Sequence, residues 1–308
     1  MKRILINLIT VALCIVSFAY ANATDIALVT TSKISAFDIA LDGFNETLRN
    51  GGYNVNLTTY NMAQNDLVAQ LMSKKCDLVL AMGTDAAIKI KDKITRSPIV
   101  FSMILNPVQS KITETMGPSG SNITGASLDI PARIQLDLIK KVLPQAVNVG
   151  VIYSSKTADL IQEAKIAEKQ MGLSLISFKV ESDTEVPQAF KKLVGRVDVI
   201  WLVPDTTVCT QDSLPYMLNT SIESKLPIMG FAPYLCKAGA LMSYTYDYKD
   251  IGRQTGELAI KILSGESVGD LPVEIPRKVN YVFNLKTANY LGLQIPSQMI
   301  KDAVEVFQ

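Results

Sequence analysis

Short continuous apolar runs alternate along this chain with stretches in which apolar residues recur every three or four positions. Ile26-Ala27-Leu28-Val29 is one such run, and Phe37, Ala40, Leu41, Phe44 and Leu48 follow it at helical spacing. Leu67, Leu71 and Met72 repeat that spacing before the next run, Asp77 to Met82. A strand with no polar alternation is covered on both faces, and strands separated by amphipathic helices pair in parallel. The pattern therefore predicts a doubly wound α/β unit that opens at Ile26 and closes near Phe101.

The same series then starts again. Val149-Gly150-Val151-Ile152 opens it and Phe231 closes it. Cys76-Asp77-Leu78-Val79-Leu80-Ala81-Met82-Gly83-Thr84-Asp85 is answered by Val197-Asp198-Val199-Ile200-Trp201-Leu202-Val203-Pro204-Asp205-Thr206, and Ser97-Pro98-Ile99-Val100-Phe101 by Leu226-Pro227-Ile228-Met229-Gly230-Phe231. The expected fold class is α/β: two doubly wound parallel-sheet lobes. Breaks in the series place crossings between the lobes near Ser127, near Ser243 to Asp247 and near Val282 to Asn284, a hinge of three strands. The first lobe then holds residues 24–126 and 248–282, the second 127–247 and 283–308.

Composition narrows the setting. Lys2-Arg3, an apolar run from Ile4 to Phe18 and the small-x-small end Ala21-Asn22-Ala23 form the pattern of an export signal cut after Ala23. The run is shorter than the roughly 20 residues that span a bilayer. An exported chain of this kind belongs in the periplasm. With 30 basic and 29 acidic residues overall, the chain offers no footprint for nucleic acid or an anionic membrane. Histidine is absent, which removes the commonest general base, the usual triads and most zinc sites. Gly125-Ala126-Ser127-Leu128-Asp129 lacks the closing glycine of a nucleophile elbow. No enzyme, metal or cofactor is expected. Of the cysteines beyond the signal, Cys76 opens a buried strand and reads as an inert thiol, whereas Cys209 and Cys236 follow neighbouring strands and are either bridged or free.

In parallel sheets, ligands bind outside the carboxyl ends of the strands. The first lobe contributes Thr31 and Ser32, then Gly83, Thr84 and Asp85, then Asn106. The second contributes Tyr153, then Asp205 and Thr206, then Phe231, with Ser127 and Asp247 at crossings. Thr84 or Asp85 is either a helix cap or part of a site that receives an anion. Asp205 is either the partner of a ligand amine or a loop cap. Phe231 either stacks on a planar ligand or packs in the lobe. Trp201, inside a strand, reads as core.

Several short motifs carry a family resemblance through their order and spacing. They are Gly125-Ala126-Ser127, Gly239-Ala240-Leu241, Asp247-Tyr248 with Gly252-Arg253-Gln254, Leu263-Ser264-Gly265, and Asn284-Leu285-Lys286-Thr287-Ala288 before Leu291-Gly292 and Ile295-Pro296. Together they resemble the ABC-transporter substrate-binding proteins that include tryptophan- and tyrosine-binding members. The resemblance runs from about Ile26 to Val304. It implies a type I periplasmic binding-protein fold, a small-molecule ligand, a permease partner in the inner membrane and a monomeric receptor. A receptor that presents its ligand to a membrane signalling protein shares the same fold. Many members carry Asp-Pro-Val where this chain has Asn106-Pro107-Val108, and a neutral amide does not replace a carboxylate as counter-ion for a ligand ammonium.

Overall fold

The computed structural model describes residues 23–31 and 34–308. The export signal expected over 1–23 therefore lies outside the described residues, apart from Ala23, and so does Ser32. The first lobe opens with β1 (Thr24–Thr30), α1 (Ser35–Asn50), β2 (Val55–Asn61), α2 (Leu67–Ser73), β3 (Leu78–Met82), α3 (Thr84–Ile90), β4 (Ile99–Ile104) and β5 (Ile123–Ser127). The second continues with α4 (Ala132–Val142), β6 (Asn148–Tyr153), α5 (Ala158–Met171), β7 (Ser174–Lys179), α6 (Val186–Leu193), β8 (Val199–Trp201), α7 (Ser213–Glu223), β9 (Ile228–Gly230), α8 (Pro233–Lys237) and β10 (Met242–Tyr246). The chain then returns to the first lobe as α9 (Tyr248–Leu263) and ends in the second with β11 (Val279–Asn284), α10 (Leu285–Leu291), α11 (Ser297–Asp302) and β12 (Glu305–Phe307).

The internal repeat is visible in the strand order. The first sheet runs β2-β1-β3-β4-β5, and the second repeats it as β7-β6-β8-β9-β10 before adding β11 and β12. Asp77 and Asp198, which correspond in the repeat, do the same work. Asp77 Oδ2 accepts from the Asp25 N–H at 2.9 Å, where β1 begins. Asp198 Oδ2 accepts from the Val147 and Asn148 N–H groups at 2.8 and 2.7 Å, where β6 begins. Each carboxylate satisfies amides at the entry of the neighbouring strand, which would otherwise lack a ladder partner.

Two features differ from expectation. The second sheet is mixed, because β11 pairs antiparallel with β10. The third crossing also falls earlier than residues 282–284, since β11 pairs with β10 from Val279 onward. Residues 279–282 thus belong with the second sheet, and the passage occupies the short stretch after Glu274, which still bridges Ala126 of the first. Tyr281 and Phe283 pack with the second lobe's core, and that burial draws the strand across.

The crossings are tied to one another. The Ser127 N–H donates to the Glu274 carbonyl at 2.8 Å, and the Glu274 N–H donates to the Gly125 carbonyl at 2.9 Å, so the first and third run side by side. Asp247 caps α9 at the second, its Oδ1 accepting from the Asp250 N–H at 2.9 Å. Arg277, on the third, donates to both oxygens of Asp250 at 2.8 and 3.1 Å and to both of Glu257 at 2.8 and 2.9 Å.

In the first lobe, α9 closes one face of the sheet, packing Ile251, Leu258, Ala259 and Ile262 with Ile26, Leu28, Leu78 and Leu80. Its contact with α1 is backbone to backbone. A Cβ on Gly252 would lie 1.8 Å from the Ala40 carbonyl oxygen, and one on Gly43 would lie 2.0 Å from that of Lys249. Glu46 then bridges to Lys249 at 2.7 Å and Arg253 at 3.1 Å. Gly252→Ala should cost about 2 kcal/mol or more in urea unfolding, because neither backbone can retreat. Gly117→Ala, whose Cβ would meet only Thr115 Oγ1 at 3.7 Å, should stay within about 0.5 kcal/mol of the parent. Equal costs at the two positions would remove the helix contact as the reason for Gly252.

Candidate functional site

The site begins with a bulge. β4 and β5 keep register until Ser102, then slip at Met103, whose φ is 61°. A left-handed residue in a strand bends it and re-aims the residues beyond the bend. Asn106 comes next in the same left-handed region, with φ 52°. Asparagine tolerates that conformation better than most residues. This backbone aims the Asn106 N–H at Asp129 Oδ1, 2.8 Å away.

Asp129 lies just past the first crossing and joins both lobes. Its own N–H donates to Ser127 Oγ at 3.1 Å. Burial raises its carboxyl to about 6, against the lowering effect of the hydrogen bonds from Asn106 and Ser127, and the nearby Glu163 raises it further. Glu163 itself is turned to α4, where its Oε1 accepts from the Ala132 N–H at 2.9 Å, so that carboxylate serves a helix start. Burial lifts Glu163 above its ordinary value as well.

Around Asp129 a cavity of about 590 Å³ opens between the lobes. Leu105, Asn106, Gln109, Thr115 and Met116 wall it from the first lobe, and Lys156, Thr157, Leu160, Glu163 and Pro204 from the second. Leu128 to Pro131 and Ile275, on two crossings, close its back. Tyr244 and Tyr246 form an aromatic side, since alternate residues of β10 face the same way. Their rings meet edge-on at 6.1 Å, and Tyr246 continues to Tyr248 at 5.8 Å. Burial, with Asp129 adding to it, keeps both phenols of the β10 pair protonated well above the usual range. Gln135 also lines the cavity and accepts from the Trp201 indole N–H at 2.9 Å. That bond lets Trp201 sit fully buried in the core, as its strand position suggested.

Of the residues expected at the ligand, the cavity includes Asn106. Thr31 follows β1 and is half-buried. Gly83, with φ 89°, occupies the cap position of α3, so Thr84 and Asp85 are its first helical residues and neither side chain caps it. Tyr153 ends β6 against the second lobe's core, and Phe231 packs there edge-on to Tyr234 at 6.3 Å. Ser127 is fully buried, and Asp247 is spent on α9. Thr206 is exposed and its Oγ1 accepts from Lys156 Nζ at 2.6 Å.

Asp205 requires correction. It is 1% exposed, and its carboxylate accepts from the Ser154 N–H at 2.7 Å, Ser154 Oγ at 2.8 Å, Thr157 Oγ1 at 2.7 Å and the Thr207 N–H at 2.8 Å. With its lone pairs so engaged it serves as a loop cap and turns no oxygen toward a ligand amine. Burial pushes this carboxyl up, but the hydrogen bonds from Thr157, Ser154 and Thr207 outweigh it and hold it below its ordinary value. The bridge between Cys209 and Cys236 is also absent, because the thiols turn apart. Cys209 Sγ donates to the Val203 carbonyl at 3.6 Å, and Cys236 Sγ to Ser243 Oγ at 3.3 Å. Burial pushes both thiols up to about 12.

Asp129 is within reach of sequence reasoning, as an acid just past a short strand at a crossing, although in sequence it stands out only as part of an incomplete nucleophile elbow. The tyrosines give no comparable signal, because a period-two aromatic pair reads equally as core.

Two doubly wound lobes around a walled cavity, joined by three crossing segments, define a bilobed receptor of the periplasmic binding type. The family model for ABC transporter substrate binding proteins matches residues 25–307, and the chain belongs to that family. A tyrosine-binding protein of Clostridioides difficile is 29% identical over 272 residues, covering 84% of this chain and 78% of the relative. A Streptococcus pneumoniae ABC domain solved with L-Trp is 27% identical, covering 92% of this chain and all of its own, with a TM-score of 0.64. The ligand-free, open structure of a C. difficile substrate binding protein with adhesive properties is 26% identical and covers 93% of this chain and all of its own. Its TM-score is 0.77. Members of this family are extracytoplasmic solute-binding proteins rather than enzymes. No described helix is long and apolar enough to cross a membrane.

Asp205→Ala should cost about 3 kcal/mol or more in urea unfolding, since it strands Ser154, Thr157 and Thr207 donors in a buried loop. The parent should keep this contribution in full above the ordinary aspartate range and lose it as pH falls from there through the depressed carboxyl value. A variant as stable as the parent would return Asp205 to the candidate ligand contacts.

Proposed function

We propose that this protein is the solute receptor of an ABC importer, and that it captures an amino acid or a closely similar amine in the cavity between its lobes. The observation that carries the reading is Asp129. It is a carboxylate on the hinge, held by a first-lobe amide, in a cavity walled by both lobes and flanked by Tyr244 and Tyr246. Asp129 would supply the negative counter-charge for a ligand ammonium that Asn106 lacks, and the tyrosines would take an aromatic side chain. The names of the relatives make tyrosine and tryptophan the first compounds to test.

Closure of the lobes is the mechanism of capture. Ligand groups that touch both walls stabilise the closed state over the open one, so binding shifts the population by that difference in affinity. The better alignment with an open, ligand-free relative than with a tryptophan complex supports an open starting state. Thr31, Gly83, Thr84 and Asp85, at the carboxyl ends of β1 and β3, would come to the ligand as the first lobe closes. An inner-membrane permease pair would then receive the closed receptor.

Calorimetric titration of the mature chain with aromatic amino acids should give saturable binding, and small-angle scattering should show compaction at saturation. Asp129→Asn should weaken binding by about 10- to 100-fold. Affinity in the parent should fall by up to about tenfold per pH unit below 6, because a protonated Asp129 cannot pair with an ammonium. The free receptor should show the opposite trend in stability. A raised carboxyl binds its proton more tightly when folded, so stability rises as pH drops from about 6 toward 3.8. Unchanged affinity in Asp129→Asn would remove the ammonium contact, and saturation without compaction would remove closure.

A further inference from the structure

We propose that the cavity between the lobes selects an arylalkylamine, an aromatic ligand with an ammonium and no carboxylate, and that Glu163 is the residue that turns the α-carboxylate of an amino acid away. The inference rests on the reading of Asp129 as the ammonium partner and narrows the ligand from there. Among the described residues the cavity walls carry four acids, Glu114, Asp129, Asp159 and Glu163, against the single cation Lys156. The four do not weigh equally. Glu114 is exposed, and Asp159 complements the first turn of α5, so water and the helix offset much of their charge. Asp129 and Glu163 remain, close enough that Glu163 raises the Asp129 carboxyl.

A zwitterionic ligand needs donors for its carboxylate as well as an acid for its ammonium. The start of α4 is the natural seat for that carboxylate, because Pro131, just before the helix, lines the back of the cavity. Pro131 has no N–H to offer, and the Ile134 and Gln135 N–H groups donate to its carbonyl. The two amides left in the first turn, Ala132 and Arg133, both serve Glu163, the first at 2.9 Å. A side-chain carboxylate of the protein thus fills the place that the ligand's would take.

Donors elsewhere on the walls are engaged as well. On the loop after β6 the Ser154 amide donates to Asp205, the Lys156 amide to Ser154 Oγ and the Thr157 amide to the Ser154 carbonyl. The Asn106 amide is held by Asp129, and Asp85 gives the first turn of α3 a negative charge of its own. Lys156 Nζ donates to Thr206 Oγ1. An α-carboxylate closed into this space would lose its hydration and meet like charge, which weakens binding. An amine without one meets only Asp129 and the aromatic side formed by Tyr244 and Tyr246.

Calorimetric titration of the mature chain with ligand pairs that differ only in the carboxylate tests this, tyramine against tyrosine and tryptamine against tryptophan. Phenylpropionate, which keeps a carboxylate and lacks the ammonium, completes the set. The amines should bind at least about tenfold more tightly than their amino acids, and phenylpropionate should not bind. Glu163→Gln keeps an oxygen for the Ala132 amide, so it should fold, and it should lower the preference for the amines by about threefold or more. Asp129→Asn should weaken amines and amino acids alike. Amino acids that bind as tightly as the amines would overturn this proposal and leave the amino-acid receptor standing. A preference that Glu163→Gln leaves unchanged would overturn the role given to Glu163. Failure of both classes to bind would remove the reading of Asp129 and this proposal together.

Discussion

Arg277 ties the third crossing between the lobes to the root of α9. Its guanidinium lies across two carboxylates, and one of them, Asp250, has a side chain that is only 3% exposed. Burial alone would make an ionised Asp250 costly, but hydrogen bonds and charge from Arg277, with Lys278 beside it, keep the carboxyl below its ordinary value. A buried carboxylate of this kind tolerates no loss of its partner, so the third crossing cannot leave the root of α9. The first crossing is bound to the third through Glu274, and the second runs straight into the cap of the same helix. All three crossings are thereby tied to one another at the root of α9, and Asp129 lies beside them, just past the first.

The internal repeat shows which parts of a lobe are general and which are particular. At the amino ends of the strands the copies agree, with Asp77 and Asp198 making the same bonds. At the carboxyl ends they diverge. Thr84 corresponds to Asp205, yet Asp205 pins the loop after β6 through Ser154 and Thr157, and Thr84 leads a short helix with no side-chain cap. The second lobe thus presents a wall already braced by an internal carboxylate. The first presents a bulged strand and two left-handed residues, a wall shaped by its backbone instead.

This division also explains how much of the protein is legible in its sequence. Fold class, repeat and the first two crossings come from apolar periodicity, because burial on two faces leaves no other arrangement for runs such as Leu78 to Met82. The third crossing falls a few residues from its expected place, since an antiparallel strand alternates toward its core just as a parallel edge strand does. Site residues are harder. A residue at the end of a strand is near the cleft by topology, but whether its side chain reaches the ligand depends on local hydrogen bonds, and Asp205 is consumed by them. Asn106 is found by topology, whereas the reason it is an asparagine lies in a backbone torsion. Tyr244 and Tyr246 owe their place in the cavity to a strand register that composition does not disclose.

The position of α9 has a further consequence, for the order in which the chain acquires structure. Ile251, Leu258 and Ala259 complete the core under β1 and β3, although nearly the whole second lobe separates them in sequence. Until those residues leave the ribosome, one face of the first sheet has only α1, through Ala40, Phe44 and Leu48, to cover it. Domains ordinarily condense from the amino terminus as synthesis proceeds. Here the leading half must wait for a helix that arrives late, and such a delay would leave a newly made chain loosely packed long after its first strands are complete.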